Sequence, residues 1–441
     1  MDVSVLDKLR TVVGPTNMLT GIELGPYVVE GRTPEAAVFP SSLDEVRAVV
    51  EIAADAAVPI VPWGGGTAAA VGTPASRAGV VLGTSRLAQL VEHEPGDLTA
   101  TVEAGMTMAA LQSMLRARGQ WLSLDPPAAD RATLGGVIAA NASGPRRHLY
   151  GTARDLLIGV TAVTGEGVVV RGGGKVVKNV AGYDLPKLFV GSYGTLGVIV
   201  SVTVKLRPLP DVERLVAVTF DRLKDGGAAV RTVMGSDLIP NALDLVDAEV
   251  GRALGLAVAP GGCALIAGFD GVSEQVDWQC AEIGRLTAPL GGHGVHALAA
   301  QTWTRLAAAA REVFDPPAAV MRLSVLPAAA AEAMEHGANA ARQRGLGSAW
   351  SCHAGAGVIT AALAARGAQA EPGPIASVLG EWRALARASG GHATLDWAPL
   401  AVKSVVSVWD DAGAAGRIMQ RLKGALDPRN IMNPGRFVAG I

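Results

Sequence analysis

The sequence predicts an α+β protein divided into two or three domains. Its 441 residues exceed what one ordinary core organises. Short apolar strands alternate with capped amphipathic helices as far as Pro210. Beyond that point alanine-rich helices such as "PAAAAEAMEHGANAARQRG" and "GEWRALARASGG" alternate with strand candidates "VMRLSV" and "KSVVSVW".

In chain order, residues 1–32 form an N-terminal segment with early acids and no uninterrupted apolar run, unlike a signal peptide. "EAAVFPSSLDEVRAVVEIAADAAVPIVPWGGGT" then reads as strand, capped helix, strand and glycine loop. Ser42 and Glu45 make a capping box, and Val46, Val49, Val50 and Ala53 share one helical face. "DLTATVEAGMTMAALQSMLRARG" repeats the theme: a strand to Val102, a turn at Gly105, and a helix presenting Leu111, Met114 and Leu115. "GVIVSVTVKLRPLP" alternates Val198, Val200, Val202 and Val204 at period two until Pro208 and Pro210 stop it. The expected division is therefore 1–32, a first domain 33–210, a second domain 211–426 and a docked tail 427–441 that carries Ile431, Met432 and Phe437.

Composition excludes several classes of function. A net charge of −2 supplies no field for nucleic acid or an anionic membrane. The longest apolar stretch, "ALGLAVAPGGCALIAGF", is broken by Pro260, Gly261 and Gly262, against a transmembrane helix. Cys263, Cys280 and Cys352 are three, widely spaced and without a CxxC pair, as expected of buried thiols in a cytoplasmic protein.

Three glycine-rich stretches carry the functional signal. In "VPIVPWGGGTAAAVG" the glycines meet neither the P-loop nor the Rossmann pattern. They serve either a tight turn or a nest of bare N–H groups around a diphosphate, with Thr67 as a hydroxyl donor. "DPPAADRATLGGVIAANASGPRRHLYGTARDLLIGV" has enough small residues for close helix packing or for backbone lying against a flat ligand. "GGGKVVKNVAGYDLPKLFVGSYGTLGVIVSVTV" adds Lys178, Asn179, Asp184 and another glycine-spaced turn.

Together with "DPRNIMNPGRF", these stretches follow the order found in flavoproteins of the vanillyl-alcohol oxidase/p-cresol methylhydroxylase family, which the chain resembles over residues 58–208 and the tail. Within it, "GPRR…G…RDLLIG" with "KNVAGYDL" looks most like the smaller FAD-binding subunits of bacterial glycolate oxidases. The resemblance implies a two-part p-cresol-methylhydroxylase (PCMH)-type FAD-binding domain, then an α+β domain with an antiparallel sheet and helices. It puts the FAD diphosphate on Gly64, Gly65, Gly66 and Thr67, with Pro62, Gly72 and Asp125 in the same set. Thr133, Gly135, Gly136, Ser143 and Gly144 would line the extended cofactor, and Asp155 supplies an acid near a strand turn. Gly194, Thr195, Gly197 and Ile199 would give backbone contacts to the adenine side, and Asn433, Pro434 and Gly435 would return the tail to the flavin. Many relatives attach FAD through a histidine after the glycine loop; Thr67 and Ala68 stand there, which implies non-covalent binding.

The implied reaction is oxidation of glycolate to glyoxylate, or of a close small 2-hydroxy acid. Its electrons would pass to a larger FAD-binding catalytic subunit and an iron–sulfur subunit, since this chain has no cluster ligands. Membrane association, at the inner membrane, would come only through those partners. The alternatives are a self-sufficient FAD-linked dehydrogenase of D-lactate or another 2-hydroxy acid and a cofactor-free, non-catalytic assembly subunit. Related dehydrogenases carry HxGDGNxH; here "SCHAGAGVIT" keeps His353, replaces the acid by Ala356 and lacks the second histidine, so no metal is expected. The Glu335-His336-Gly337 run falls in a helical pattern, and His293 and His296 lie in a glycine turn. Arg322 is the candidate anchor for the substrate carboxylate, with Arg146 and Arg147 as an alternative pair. His353 is the candidate proton acceptor and Tyr150 a residue approaching the flavin.

Overall fold

Residues 2–75, 77, 79–174, 184–364 and 371–441 are described by a computed structural model; Lys178 and Asn179 lie outside them. Contacts separate two compact units. Unit 1 comprises Met1–Ala142, Thr152–Leu209 and Asp411–Ile441; unit 2 comprises Ser143–Gly151 and Pro210–Asp410. The division departs twice from the expected segments: residues 143–151 pack with unit 2, and residues 411–426 with unit 1. Side-chain ion pairs and hydrogen bonds described below hold both excursions.

In unit 1, strands β1 (Met18–Leu19), β2 (Ala36–Val38), β3 (Ile60–Trp63) and β4 (Val80–Gly83) form a sheet in the order β1-β2-β4-β3. β4 runs parallel to both β2 and β3, so the helix Leu43–Asp55 is a crossover. The Ser42 hydroxyl accepts from Glu45 N at 3.2 Å, as a cap should. Glu45 turns to Ser41, accepting from its N–H at 2.7 Å, one residue before the position a reciprocal box uses. Val46, Val49, Val50 and Ala53 are all buried, each valine contributing about 1.5–3 kcal/mol.

A second, antiparallel sheet contains β5 (Leu90–Glu94), β6 (Thr99–Glu103), β8 (Leu157–Val163), β9 (Val169–Gly173) and β10 (Val198–Lys205), in the order β5-β6-β10-β8-β9. The short β7 (Gln120–Trp121) pairs separately with β11 (Arg207–Pro208). The valines of β10 do not serve one core. A register shift between Ile199 and Ser201 turns the strand: Val198 and Val200 pack with the first sheet's helix, while Val202 and Val204 pack beneath the second sheet. On the helix Met108–Arg116 the buried residues are Met108, Leu111 and Leu115; Met114 is 47 % exposed, one step off the apolar face.

The helix Leu134–Ala140 begins at Thr133, whose hydroxyl accepts from Gly136 N at 3.3 Å. Thr133→Ala is expected to cost about 1 kcal/mol, read as a lower denaturation midpoint with an unchanged slope in urea.

Unit 2 is built on one eight-stranded sheet, with β12 (Val212–Phe220), β13 (Ala242–Asp247), β14 (Cys263–Gly271), β15 (His296–Leu298), β16 (Ala319–Ser324), β17 (Gly347–His353), β18 (Val358–Ala364) and β19 (His392–Trp397). Their order is β15-β12-β14-β13-β17-β18-β16-β19, and every pairing is antiparallel. One face packs on the helices Leu223–Met234, Ser273–Thr287, Ala330–Gln343 and Pro372–Ala388. At its centre Trp350 meets Trp382 edge-on with centroids 4.6 Å apart, and the Trp382 indole donates to Gly337 O at 2.9 Å. Glu335 and His336 lie in the Ala330–Gln343 helix, as their spacing predicts. "KSVVSVW" is not a strand: Lys403 ends a short helix, and the following turns bury Val406 and Val408 against the core.

Candidate functional site

β3 delivers Pro62 and Trp63 to a cleft of about 900 Å³ within unit 1. The glycine loop that follows is pressed against the residues leading into the helix Leu134–Ala140. A Cβ on Gly64 would lie 2.1 Å from Thr133 Oγ1, and one on Gly65 would lie 1.8 Å from Arg131 O. Gly66 has φ +71° and sits under the Trp63 ring. Here the missing side chains have a steric cause, and what remains towards the cleft is main chain.

The cleft is lined by Pro62, Gly64, Gly65, Gly66 and Thr67 from this loop, and by Gly135 and Gly136 from the helix start. Gly194, Gly197 and Ile199 add the turn before β10, and Asn433 adds the tail. Other residues of the expected set are not among those lining the cleft. Thr133 caps its helix and backs Gly64. The Thr195 hydroxyl donates to Ser192 O at 2.7 Å. At Gly72 a Cβ would meet Arg436 O at 2.8 Å, so this glycine admits the tail. Asp155 accepts from Thr152 N at 2.7 Å and from its hydroxyl at 2.9 Å, capping the helix Ala153–Leu156. Those donors, the backbone N–H foremost, hold its carboxyl below the usual carboxylate range. Asp125 is half-buried outside the lining, and Ser143 and Gly144 belong to unit 2.

Sequence reasoning missed Arg436 and Tyr193. Among the described residues that line the cleft Arg436 is the one cation, and no carboxylate lines it. It is 4 % exposed, and its Nη2 donates to Ala69 O at 2.7 Å and Val71 O at 2.8 Å. Burial lowers its pKa against the raising effect of Glu30. Its position directly after Asn433-Pro434-Gly435 was the available signal, since a docked turn carries its next side chain inward. Asn433, itself 7 % exposed, donates from Nδ2 to Tyr193 O at 2.8 Å; its buried Oδ1 has no hydrogen-bond partner among the described residues. Bare N–H groups, one buried guanidinium and apolar walls suit an extended anionic ligand with flat rings.

Unit 2 holds the three candidate catalytic side chains in separate partner sets. Tyr150 donates to Asp270 Oδ2 at 2.5 Å, and Asn241 donates to the same oxygen at 2.7 Å and to Glu213 Oε1 at 3.1 Å. Arg146 grips Glu213 with both sides of its fork, at 2.9 and 2.6 Å, and lies 3.9 Å from the centroid of the Trp303 ring. On β17, His353 Nδ1 is 2.9 Å from Oδ1 of the buried Asp244. His148 rests against Gly355; burial lowers its pKa, opposed by the charge of Asp244. On β16, Arg322 stands between Thr360 and Thr394, with Nη2 3.4 Å from Asp396. β18 separates it from the strand of His353.

His293 pairs with Asp221 at 3.0 Å on the surface, and His296 reaches His293 O. Among the described residues, no group of three His, Cys, Asp or Glu is placed to hold a metal ion, and no helix is long and apolar enough to cross a membrane. Cys263 and Cys352 are buried and Cys280 is half-buried; burial pushes the Cys263 thiol up to about 12.

Comparison with known proteins matches an FAD binding domain over residues 34–173 and the C-terminal domain of FAD linked oxidases over residues 209–437. The chain is 35% identical over 214 residues to glycolate oxidase subunit GlcD of Bacillus subtilis (strain 168), covering 48% of this chain and 46% of that one. It is 32% identical over 312 residues to a probable mitochondrial D-lactate dehydrogenase of Danio rerio, covering 65% and 60%. With D-2-hydroxyglutarate dehydrogenase of Stutzerimonas stutzeri (strain A1501) it shares 34% over 215 residues, covering 47% and 46%. The chain thus spans 46% to 60% of the length of these relatives. Among solved structures, p-cresol methylhydroxylase with substrate bound superposes with a TM-score of 0.77 at 17% identity, covering 99% of this chain and 96% of that one. Alkyldihydroxyacetonephosphate synthase gives 0.76 at 18%, covering 99% and 86%. The fold is the mixed α+β architecture of PCMH-type flavoproteins, as the motif order implied.

Proposed function

We propose that this chain, which belongs to the FAD-linked oxidases, takes part in oxidising a small 2-hydroxy acid such as glycolate and passes the electrons to partner subunits. The observation that carries the reading is the unit 1 cleft, whose residues fit FAD. Gly64, Gly65 and Gly66 expose N–H groups suited to a diphosphate, and Arg436 offsets negative charge. The orphaned Asn433 Oδ1 is an acceptor awaiting a donor. Thr67 and Ala68 line the cleft where a covalently linking histidine would stand, so the cofactor is held without a covalent bond.

Bound FAD supplies a two-electron acceptor for the hydrogen on the alcohol carbon. The protein's part is to hold the acid and take the hydroxyl proton. Arg322 is one-third exposed, with Nη2 3.4 Å from Asp396, and its planar guanidinium is the group assigned to the substrate carboxylate. Oδ1 of Asp244 lies 2.9 Å from Nδ1 of His353, which leaves Nε2 as the ring nitrogen to face the hydroxyl. Glycolate, D-lactate and D-2-hydroxyglutarate, the acids in the names of the relatives, share the 2-hydroxycarboxylate group. The similarity to a glycolate oxidase subunit supports the complex: a larger FAD-binding subunit and an iron–sulfur subunit.

The test is anaerobic mixing of the FAD-loaded protein with glycolate, D-lactate or D-2-hydroxyglutarate while the flavin absorption is followed. We expect bleaching by glycolate when the chain is co-purified with its partner subunits, and none from the chain alone. Rapid bleaching of the isolated chain would favour the self-sufficient dehydrogenase, and none in either preparation would remove the hydroxy-acid reading.

A further inference from the structure

The cleft is closed on one side by two segments distant in sequence, the turn at residues 193–197 and the tail at residues 432–436. A single buried ammonium joins them. Lys423 Nζ, on the helix Ala415–Leu426, donates to Thr195 O at 2.8 Å, to Met432 O at 2.7 Å and to Asp427 Oδ2 at 2.6 Å. The Lys423 and Asp427 side chains are 8% and 0% exposed. Asp427 in turn accepts from Ile431 N at 3.0 Å and Met432 N at 2.7 Å, which folds the tail back on itself. The tail then runs beside β3: Ile60 N donates to Ile431 O at 2.7 Å, and Asn433 N donates to Ile60 O at 2.8 Å.

All three donors of Lys423 are used, two on the two segments that close the cleft on that side and one on the acid that shapes the tail. Asn433 is the residue on which these constraints converge. Its φ is +46°, its Nδ2 is tied to Tyr193 O, and its Oδ1 remains without a protein donor although the side chain is buried. A buried amide oxygen left unsatisfied is unfavourable, and a ligand donor removes that cost.

We propose that Lys423 and Asp427 act as positioning residues that clamp the tail to the 193–197 turn so that Asn433 Oδ1 accepts a hydrogen bond from an N–H or O–H of FAD. The inference rests on FAD occupying the unit 1 cleft. Cofactor affinity and tail order are then one coupled property: weakening the clamp releases FAD although neither charged residue lines the cleft.

The test is fluorescence titration of FAD into flavin-stripped full-length protein. Asn433→Gly removes the acceptor and keeps the positive φ, and it is expected to raise Kd about tenfold. Lys423→Met combined with Asp427→Leu removes both charges together, avoiding a lone buried ion. It is expected to raise Kd about as much and to accelerate amide exchange at 193–197 and 431–437. Adding Asn433→Gly to that pair is expected to cost nothing further, because the two changes disable one device. Independent losses that multiply would overturn the coupling. An unchanged Kd in Asn433→Gly would overturn the proposal even if the paired variant fails to fold. If the unaltered protein binds no FAD, the cleft reading itself falls, and the clamp proposal with it.

Discussion

Gly65→Val is expected to abolish FAD retention while leaving both units folded. At this position a Cβ meets main chain, not a movable side-chain tip: Arg131 O at 1.8 Å and Arg131 C at 2.6 Å. The loop must therefore withdraw from the start of the helix Leu134–Ala140, and its N–H groups withdraw with it. Two charge-assisted hydrogen bonds lost at roughly 1.5–3 kcal/mol each weaken binding by roughly two to four orders of magnitude. The measurement is FAD carried through purification, followed by titration of the apoprotein. Gly96→Val is the control: this glycine is in the same unit with nothing within 4 Å of its Cβ site, and its substitution should leave affinity unchanged. Equal losses in the two variants would mean that the loop's backbone is not what grips the cofactor.

The same loop shows which parts of the site were legible in the sequence. Its glycines announce themselves because they stand where an apolar strand ends, and steric need and ligand contact coincide there. Asn433 was legible through a motif in a turn-rich tail that still carries Ile431 and Met432, both fully buried. Arg436 and Lys423 were not. Their significance arises from carbonyls far away in the chain, Ala69 and Val71 for one and Thr195 for the other, and no local pattern encodes such pairing. Motif order placed Thr195 and Asp155 near the cofactor, but it does not tell where their side chains go: the Thr195 hydroxyl and the Asp155 carboxylate are both used in local turns. In the fold, the helix Leu43–Asp55 was readable because cap and apolar face agree. Met114 and "KSVVSVW" were misread because one apolar residue, or an alternating run, does not reveal which side a neighbouring element covers.

The segment Ser143–Gly151 poses the same problem on a larger scale, and Arg146→Met tests how it is held. By sequence it lies inside the glycine-rich half, yet its side chains pack with unit 2. Arg146 faces two acids in one network: Glu213, gripped directly, and Asp270, reached through Asn241 and Tyr150. With the Arg146 and Glu213 side chains only 11% and 23% exposed, removing the cation leaves carboxylates that water solvates poorly. The expected cost is about 3 kcal/mol, at the low end for a buried pair because Glu213 keeps some solvent, and this lowers the unit 2 transition by roughly 6–12 °C. Arg146→Lys should recover only part of the loss, since an ammonium cannot reproduce the two-pronged grip or the stacking on Trp303. Arg146→Met paired with Glu213→Gln should recover more, because the stranded charge is gone. Calorimetry of the three variants, with hydrogen exchange at residues 143–151, separates these outcomes. If Arg146→Met melts like the unaltered protein, the segment is held by His148 and Tyr150, and the ion pair is incidental to its placement.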